Sequence, residues 1–572
     1  MRVTGWVSGA RPVSTGSRPE TRARHRTVAM SVGTWWATLL IASTGVLAIG
    51  APFVRASWHH LLTFPLDDPY IYFDYARTAA HGMWLQYNPG DKASSGATSV
   101  LWLALLAAGY RIGLHGGGLL WWDVALETAC ATASVMCLHH TARSGGLGPV
   151  SSWVLAFSVL VAGIVLLPLW TGLEVAGTLA AVTGFMALEA SGRRRGAAGL
   201  AAAMPLVRPD LALALAIVLP LSWGLRPLWG KAAHGWLPPL AVVGYAAVMA
   251  AVTGHPEMNG GAAKLLWLAP GMPVIRLAGL SLFGTVAAMG SVWMTPTAPS
   301  GLEALCWCAG GALWVVAARN WRRAGPPASE LGREFALLAL AGMVVEGAAF
   351  GPGAVGYQFG RYLSPLAPLL LMSAAIGMVP AGRRPTATRR EGVVARRTTG
   401  WPVQSGRTDG AAILPGVFLG AGLLLAFYSV RTMREASREI GAEQVHLGRW
   451  IAQTLPPDAV VVVNDAGAMA YYGHRYTIDA IGITTDGFAA AARTPGQPGE
   501  WPALRGYLAR RGLRGRPVFA VVFPTWLPSL VARGRLLGVF HLGGPHIVDG
   551  TTVDIVQLAT EPSGTPGAPR PG

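Results

Sequence analysis

The chain has 572 residues, of which 52% are hydrophobic and only 13% charged, with a formal net charge of +17. That charged share is about half of what soluble domains carry, and apolar runs recur from Trp35 to Tyr428, so one soluble core is excluded and a polytopic α-helical membrane protein is expected, at roughly 20 apolar residues per span. The positive charge does not indicate nucleic acid as a partner: the arginines sit in short segments between apolar runs, as cytoplasmic loops do.

In chain order, residues 1–32 form an Arg-rich tail (Arg18, Arg22, Arg24, Arg26). The run 33–52 lacks a small-residue cleavage site at the usual distance and reads as a retained first span. Further spans are expected at 119–140, 151–169, 173–190, 197–207, 209–222, 236–253, 301–318, 336–350, 359–380 and 411–429, about eleven in all. The pair 197–207 and 209–222 is too short to cross twice and flanks Arg208-Pro209-Asp210, which suggests a broken hairpin beside protein or a watery cavity. The apolar stretches 99–113 and 274–294 read as helices lying along the interface. The Arg-rich loops at Arg143, Arg193, Arg226, Arg319 and beyond Pro380 then share the side of the N-terminus, cytoplasmic by the positive-inside rule, and the C-terminus lies outside. Cys130, Cys137, Cys306 and Cys308 fall inside apolar runs and read as buried small hydrophobes.

A membrane module at 33–430, with an external loop at 53–118, is followed from residue 431 by a change of composition. Strands are expected at 459–463, 477–483, 516–523 and 551–559, with short helices between them, one at 525–534. This pattern makes a small extracytoplasmic α/β domain over 431–558. Residues 559–572, rich in Pro and Gly, read as a disordered tail.

On this topology the unusual polar residues converge on the outer face. The first external loop, "FPLDDPYIYFDYARTAAHGMWLQYNPGDK", brings Asp67, Asp68, Tyr70 and Asn88. Glu174 stands at the next external turn, Arg208 and Asp210 at the break of the hairpin, Lys264 in a third loop, and Arg361 and Tyr362 at the outer start of a span. Ionisable groups among membrane spans are costly and face a cavity or a partner. A carboxylate pair can act as general base on a hydroxyl, mutual repulsion raising one pKa. Arg as a planar fork and Lys as a point charge can hold a phosphate. Together they describe group transfer from a lipid phosphate to a hydroxyl acceptor.

These stretches resemble the GT-C superfamily of integral-membrane glycosyltransferases, which use polyprenyl-phosphate-linked sugars. "LDDPYIYFDYARTAAHGMWLQYNPGD" is similar to its acidic pair in the first external loop. "GATSVLW", "TGLEVA", "LVRPDLAL", "GRYLSPLAPLLL" and "NDAGAMAYYGHRYTIDAIGI" resemble, in order, segments of the group containing the mycobacterial terminal arabinofuranosyltransferase. "PEMNGGAAK" keeps the Lys of that group's outer loop, as Lys264, and lacks its aromatic residue.

The resemblance implies a bacterial plasma-membrane enzyme that moves a sugar, arabinofuranose in that group, from a polyprenyl-phosphate donor to a cell-envelope glycan or other hydroxyl acceptor, with inversion. It implies Asp67 as general base, with Asp68 orienting it, binding acceptor or contacting a divalent metal if one is used. Arg361, Lys264 and Arg208 would hold the donor phosphate, and Glu174, Asp210 and Tyr362 would line the pocket with Tyr70 and Asn88 beside them. The rival readings are a transporter and a non-catalytic assembly protein that kept the fold. A transporter predicts ionisable groups at mid-membrane in several spans and symmetry between its halves, and neither is legible.

Overall fold

The structure is a computed structural model that describes residues 32–58, 61–223, 233–256, 272–291, 328–351, 357–377, 409–488, 500–543 and 550–559, with single positions at 312 and 315. The expected span 301–318, the loop around Lys264 and the two termini lie outside these residues.

Among the described residues, three helical stretches are long and apolar enough to cross a membrane: Gly33–Ala56, His234–Thr253 and Gln358–Ile376. Pro149–Leu160 and Gly163–Trp170, bent by 62°, would make a fourth if they act as one span. The first belongs to α1 (Val32–Ala56). The other helices that position the site are α2 (Asp68–Ala80), α3 (Val100–Arg111), α4 (Gly117–Ser144), α5 (Pro149–Leu160), α6 (Val175–Ala190), α7 (Arg194–Val207) and α8 (Pro209–Trp223). They are followed by α9 (Leu237–Thr253), α10 (Val274–Ser291), α11 (Ala328–Phe350), α12 (Ala367–Gly377) and α13 (Asp409–Ile440).

Two expected boundaries move. The helix expected at 359–380 begins only at Ala367, after single 3-10 turns over 357–366, because Gln358, Phe359 and Gly360 all have positive φ and cannot continue a right-handed helix. The helix expected to stop at 429 runs on to Ile440 as α13, past the expected domain boundary. No Gly or Pro interrupts it there, and Arg431 pairs with Glu435 one turn on at 2.8 Å.

The segment that follows α1 and the C-terminal region share a core. Phe64, Tyr70, Tyr75 and Trp102 pack in the same cluster as Ile440, Val461 and Tyr471. Within that segment, α2 starts correctly for its sequence, with an acid and a proline in the first turn. Its tyrosines then hold the chain that follows: Tyr72 accepts from the Ser99 N–H at 2.9 Å and Tyr75 bonds Ser94 at 2.7 Å. Ser99 caps α3 by accepting from the Trp102 N–H at 3.3 Å.

Beyond α13 come α14 (His446–Thr454), α15 (Ala468–Gly473) and α16 (Glu500–Arg510) with a five-stranded sheet. The strands are β1 (Val460–Val463), β2 (Tyr476–Asp479), β3 (Val518–Val522), β4 (Gly534–His541) and β5 (Thr552–Leu558), ordered β2-β1-β3-β5-β4. β1 pairs in parallel with β2 and β3, and β5 pairs antiparallel with β3 and β4. All four residues of β1 are valines buried on both faces, as a central strand requires.

The strand expected at 477–483 ends at Asp479, since that carboxylate turns the chain by accepting from the N–H groups of Ile481 (2.8 Å), Gly482 (3.2 Å) and Thr484 (2.8 Å). The helix expected at 525–534 is only one turn, Pro528–Val531. β4 escaped the sequence reading because its register shifts between Leu536 and Gly538, which breaks the apolar alternation.

Candidate functional site

The break between α7 and α8 is dictated by Pro209, which disfavours a helical residue before it. Arg208 is accordingly extended (φ −154°, ψ 95°) and its side chain is buried. Its Nε lies 3.0 Å from both oxygens of Asp210, and an Nη lies 3.6 Å from Glu174. A further bond runs from Nη1 of Arg208 to the backbone carbonyl of Arg361 at 3.3 Å, joining two segments 153 residues apart.

Arg361 is presented by the left-handed turn at Gln358–Gly360. Two non-glycine residues at positive φ store backbone strain, a feature that collects at functional sites. The buried Arg361 guanidinium lies 3.3 Å from Asp68 and donates to the Tyr362 hydroxyl at 3.0 Å. The Tyr362 ring stacks with both arginines, 4.7 Å from the Arg208 guanidinium carbon and 5.0 Å from that of Arg361. The result is a pair of forked cations about one aromatic ring, each already facing carboxylates. Asp68 and Asp210 keep 22% side-chain exposure, against 7% for Arg361 and 4% for Arg208, so the acids form the open side.

Asp67 lies beside this pair and is held from the C-terminal domain. Its two oxygens accept from the Gly467 N–H at 2.6 Å and the Ala468 N–H at 2.7 Å. Gly467 has no room for a side chain: a Cβ there would overlap the Asp67 carbonyl oxygen and stand 2.6 Å from its carboxylate carbon. Burial, together with the charge of Asp465, holds the Asp67 pKa well above the usual carboxylate range, against the two N–H bonds that favour the anion.

The structure therefore gathers Asp67, Asp68, Glu174, Arg208, Asp210, Arg361 and Tyr362. Tyr70 and Asn88 are in use elsewhere. The fully buried Tyr70 accepts from the Phe64 N–H at 3.2 Å and packs on Phe64, Phe73, Tyr471 and Tyr472. Asn88 clamps the edge strand β2, donating to the Thr477 carbonyl and accepting from the Thr477 N–H, both at 2.9 Å. Asn88→Ala would strand both groups, each costing about 1–3 kcal/mol. The expected result is faster amide hydrogen exchange over 476–479 with the membrane helices unchanged. Lys264 lies outside the described residues.

Sequence reading missed Glu346, which hydrogen-bonds Asp210 from the last turns of α11. Its signal was a lone acid in the apolar run "MVVEGAAF". Four further acids, Asp123, Glu127, Glu189 and Glu334, are buried on their helices. Glu127 accepts from the Gly172 N–H at 2.7 Å, and Glu334 from the Trp223 indole at 3.2 Å.

A divalent metal does not fit what is assembled here. Asp68, Asp210 and Glu174 all face guanidinium groups, so these acids already neutralise cations. Among the described residues no group of three His, Cys, Asp or Glu could hold an ion.

ArnT from Cupriavidus metallidurans, solved bound to undecaprenyl phosphate, is similar to this chain over 92% of its length and 98% of ArnT, with 14% identity and a TM-score of 0.51. The chain shares the fold of ArnT. ArnT in the apo state gives 13% identity and a TM-score of 0.49 over 93% of this chain and 99% of that one. The Archaeoglobus fulgidus oligosaccharyltransferase, tethered to an acceptor peptide, gives 12% and 0.45 over 91% of this chain and 73% of its own. Residues 434–556 match a domain of unknown function, DUF8728. No curated protein matches the chain. In this fold the arginine pair sits where α7 breaks and where the chain enters α12, beside the acids that open α2.

Proposed function

We propose that this chain is a membrane glycosyltransferase that moves a sugar from a polyprenyl-phosphate donor to a hydroxyl acceptor, inverting the anomeric carbon. The observation that carries this reading is the Asp68–Arg361–Tyr362–Arg208 cluster, two buried guanidinium groups behind partly exposed acids, with Asp67 anchored beside it. The phosphate displaces carboxylates from the arginine forks, exchanging one anion for another without leaving a buried cation unpaired.

In the reaction the acceptor O–H bond breaks and its proton passes to Asp67. The freed oxygen forms a bond to the anomeric carbon as the bond from that carbon to the phosphate oxygen breaks. Polyprenyl phosphate leaves with its added negative charge on Arg361 and Arg208, joined by Lys264 from the third loop. Each Asp67 oxygen spends one lone pair on a backbone N–H and keeps another for the proton. Asp68 orients the acceptor; Glu174, Asp210 and Tyr362 line the pocket. No step runs through a metal.

The same reading carries arabinofuranose as the sugar and a cell-envelope glycan as the acceptor. It takes the bacterial plasma membrane as the setting, with about eleven spans, the N-terminus inside and residues 431–558 as an outer domain. Undecaprenyl phosphate binding to the purified full chain tests the phosphate site. The expected outcome is thermal stabilisation by undecaprenyl phosphate and none by undecaprenol. Equal stabilisation by both would refute an anion site at the arginine pair.

A further inference from the structure

A second feature at the same end of the helices has no part in the cluster above. Between α1, α4 and α13 lies a groove of about 590 Å³. Leu47 and Val54 form an apolar wall on α1. Gly50 leaves that wall open so that Trp170 can close the floor, since a Cβ at Gly50 would stand 2.5 Å from the Trp170 ring. The mouth is framed by Trp58 and Trp121, their rings 5.6 Å apart and their side chains about half exposed (49% and 44%). Such indoles mark the boundary between hydrocarbon and headgroups.

Two arginines complete the mouth, Arg55 in the last turn of α1 and Arg434 on α13. Neither forms an ion pair among the described residues, whereas Arg431, one turn earlier on α13, is taken by Glu435 and Arg208 and Arg361 by their own acids. Two free cations over an apolar slot match a monoanionic phosphodiester with an acyl chain below it. We propose that this groove binds one anionic phospholipid of the surrounding bilayer, its phosphate between Arg55 and Arg434 and one chain along Leu47 and Val54. Among the described residues no carboxylate lines the groove, so it offers no base for transfer chemistry, and it shares no lining residue with the arginine pair at Tyr362. The inference rests on membrane insertion, not on sugar transfer.

Native mass spectrometry of the delipidated full chain, given equal phosphatidylglycerol and phosphatidylcholine, tests it. The expected result is one phosphatidylglycerol retained per chain with a preference of about tenfold, a difference of about 1.4 kcal/mol. That preference should vanish in the double variant Arg55→Gln/Arg434→Gln and persist in Arg431→Gln, with both variants melting like the parent. Equal retention of both lipids, or an unchanged preference in the double variant, would overturn the proposal as annular lipid only. Displacement of the retained lipid by stoichiometric undecaprenyl phosphate would overturn it differently, by giving the groove to the donor lipid.

Discussion

Arg361→Ala is expected to lower sugar transfer by about 10²–10³-fold at unchanged membrane abundance, the usual loss when one preorganised group that stabilises developing charge is removed. Its guanidinium is buried and aimed between Asp68 and the Tyr362 hydroxyl. Arg361→Lys keeps the charge and loses the planar fork, so it should recover only part of the rate. Initial rates with a polyprenyl-phosphate sugar, read beside undecaprenyl phosphate affinity, check this: both should fall together. A variant that loses affinity while keeping its maximal rate would remove Arg361 from the departing phosphate.

Asp67→Asn should cost about 10²–10⁴-fold, the range of a general base, and Gly467→Ala should come close to it without touching any acid. The added methyl collides with the Asp67 carbonyl oxygen and carboxylate, so the loop must retreat and both N–H bonds are lost. The pH profile separates a base from a mere structural anchor. A base acts only when ionised, so transfer falls as pH drops through its pKa. Burial and Asp465 set that limb above the usual carboxylate range near pH 4. The two N–H bonds oppose that rise, so Gly467→Ala should move the limb to still higher pH while lowering the plateau. A plateau loss with an unmoved limb would leave Gly467 structural and Asp67 without the base role.

Much of this arrangement was legible in the sequence because charged groups amid apolar helices are costly and therefore conspicuous. Asp67, Asp68, Glu174, Arg208, Asp210, Arg361 and Tyr362 all stood out by type and place. What escaped reading has physical causes. Glu346 is one acid within a long apolar run, and only its partner Asp210 gives it meaning. The grip of Gly467 and Ala468 on Asp67 spans about 400 residues, a pairing that no local pattern encodes. Tyr70 and Asn88 looked like pocket residues because aromatic and amide side chains suit sugars, yet a docked domain needs the same chemistry for its own backbone, as the Asn88–Thr477 clamp demonstrates. The left-handed turn before Arg361 carries only one glycine, Gly360, so nothing in "GYQFGRY" announced that the helix would start late.

The central claim is donor cleavage at the arginine pair, and its most direct measurement is release of polyprenyl phosphate. Purified protein would be given synthetic polyprenyl-phosphate sugars, arabinofuranose and mannose among them, with a hydroxyl acceptor, and the lipid product followed for the parent chain beside Asp67→Asn and Arg361→Ala. The account predicts turnover of one donor, lost in both variants. Turnover undiminished in both variants, or release of polyprenyl phosphate from no donor that binds, would contradict it.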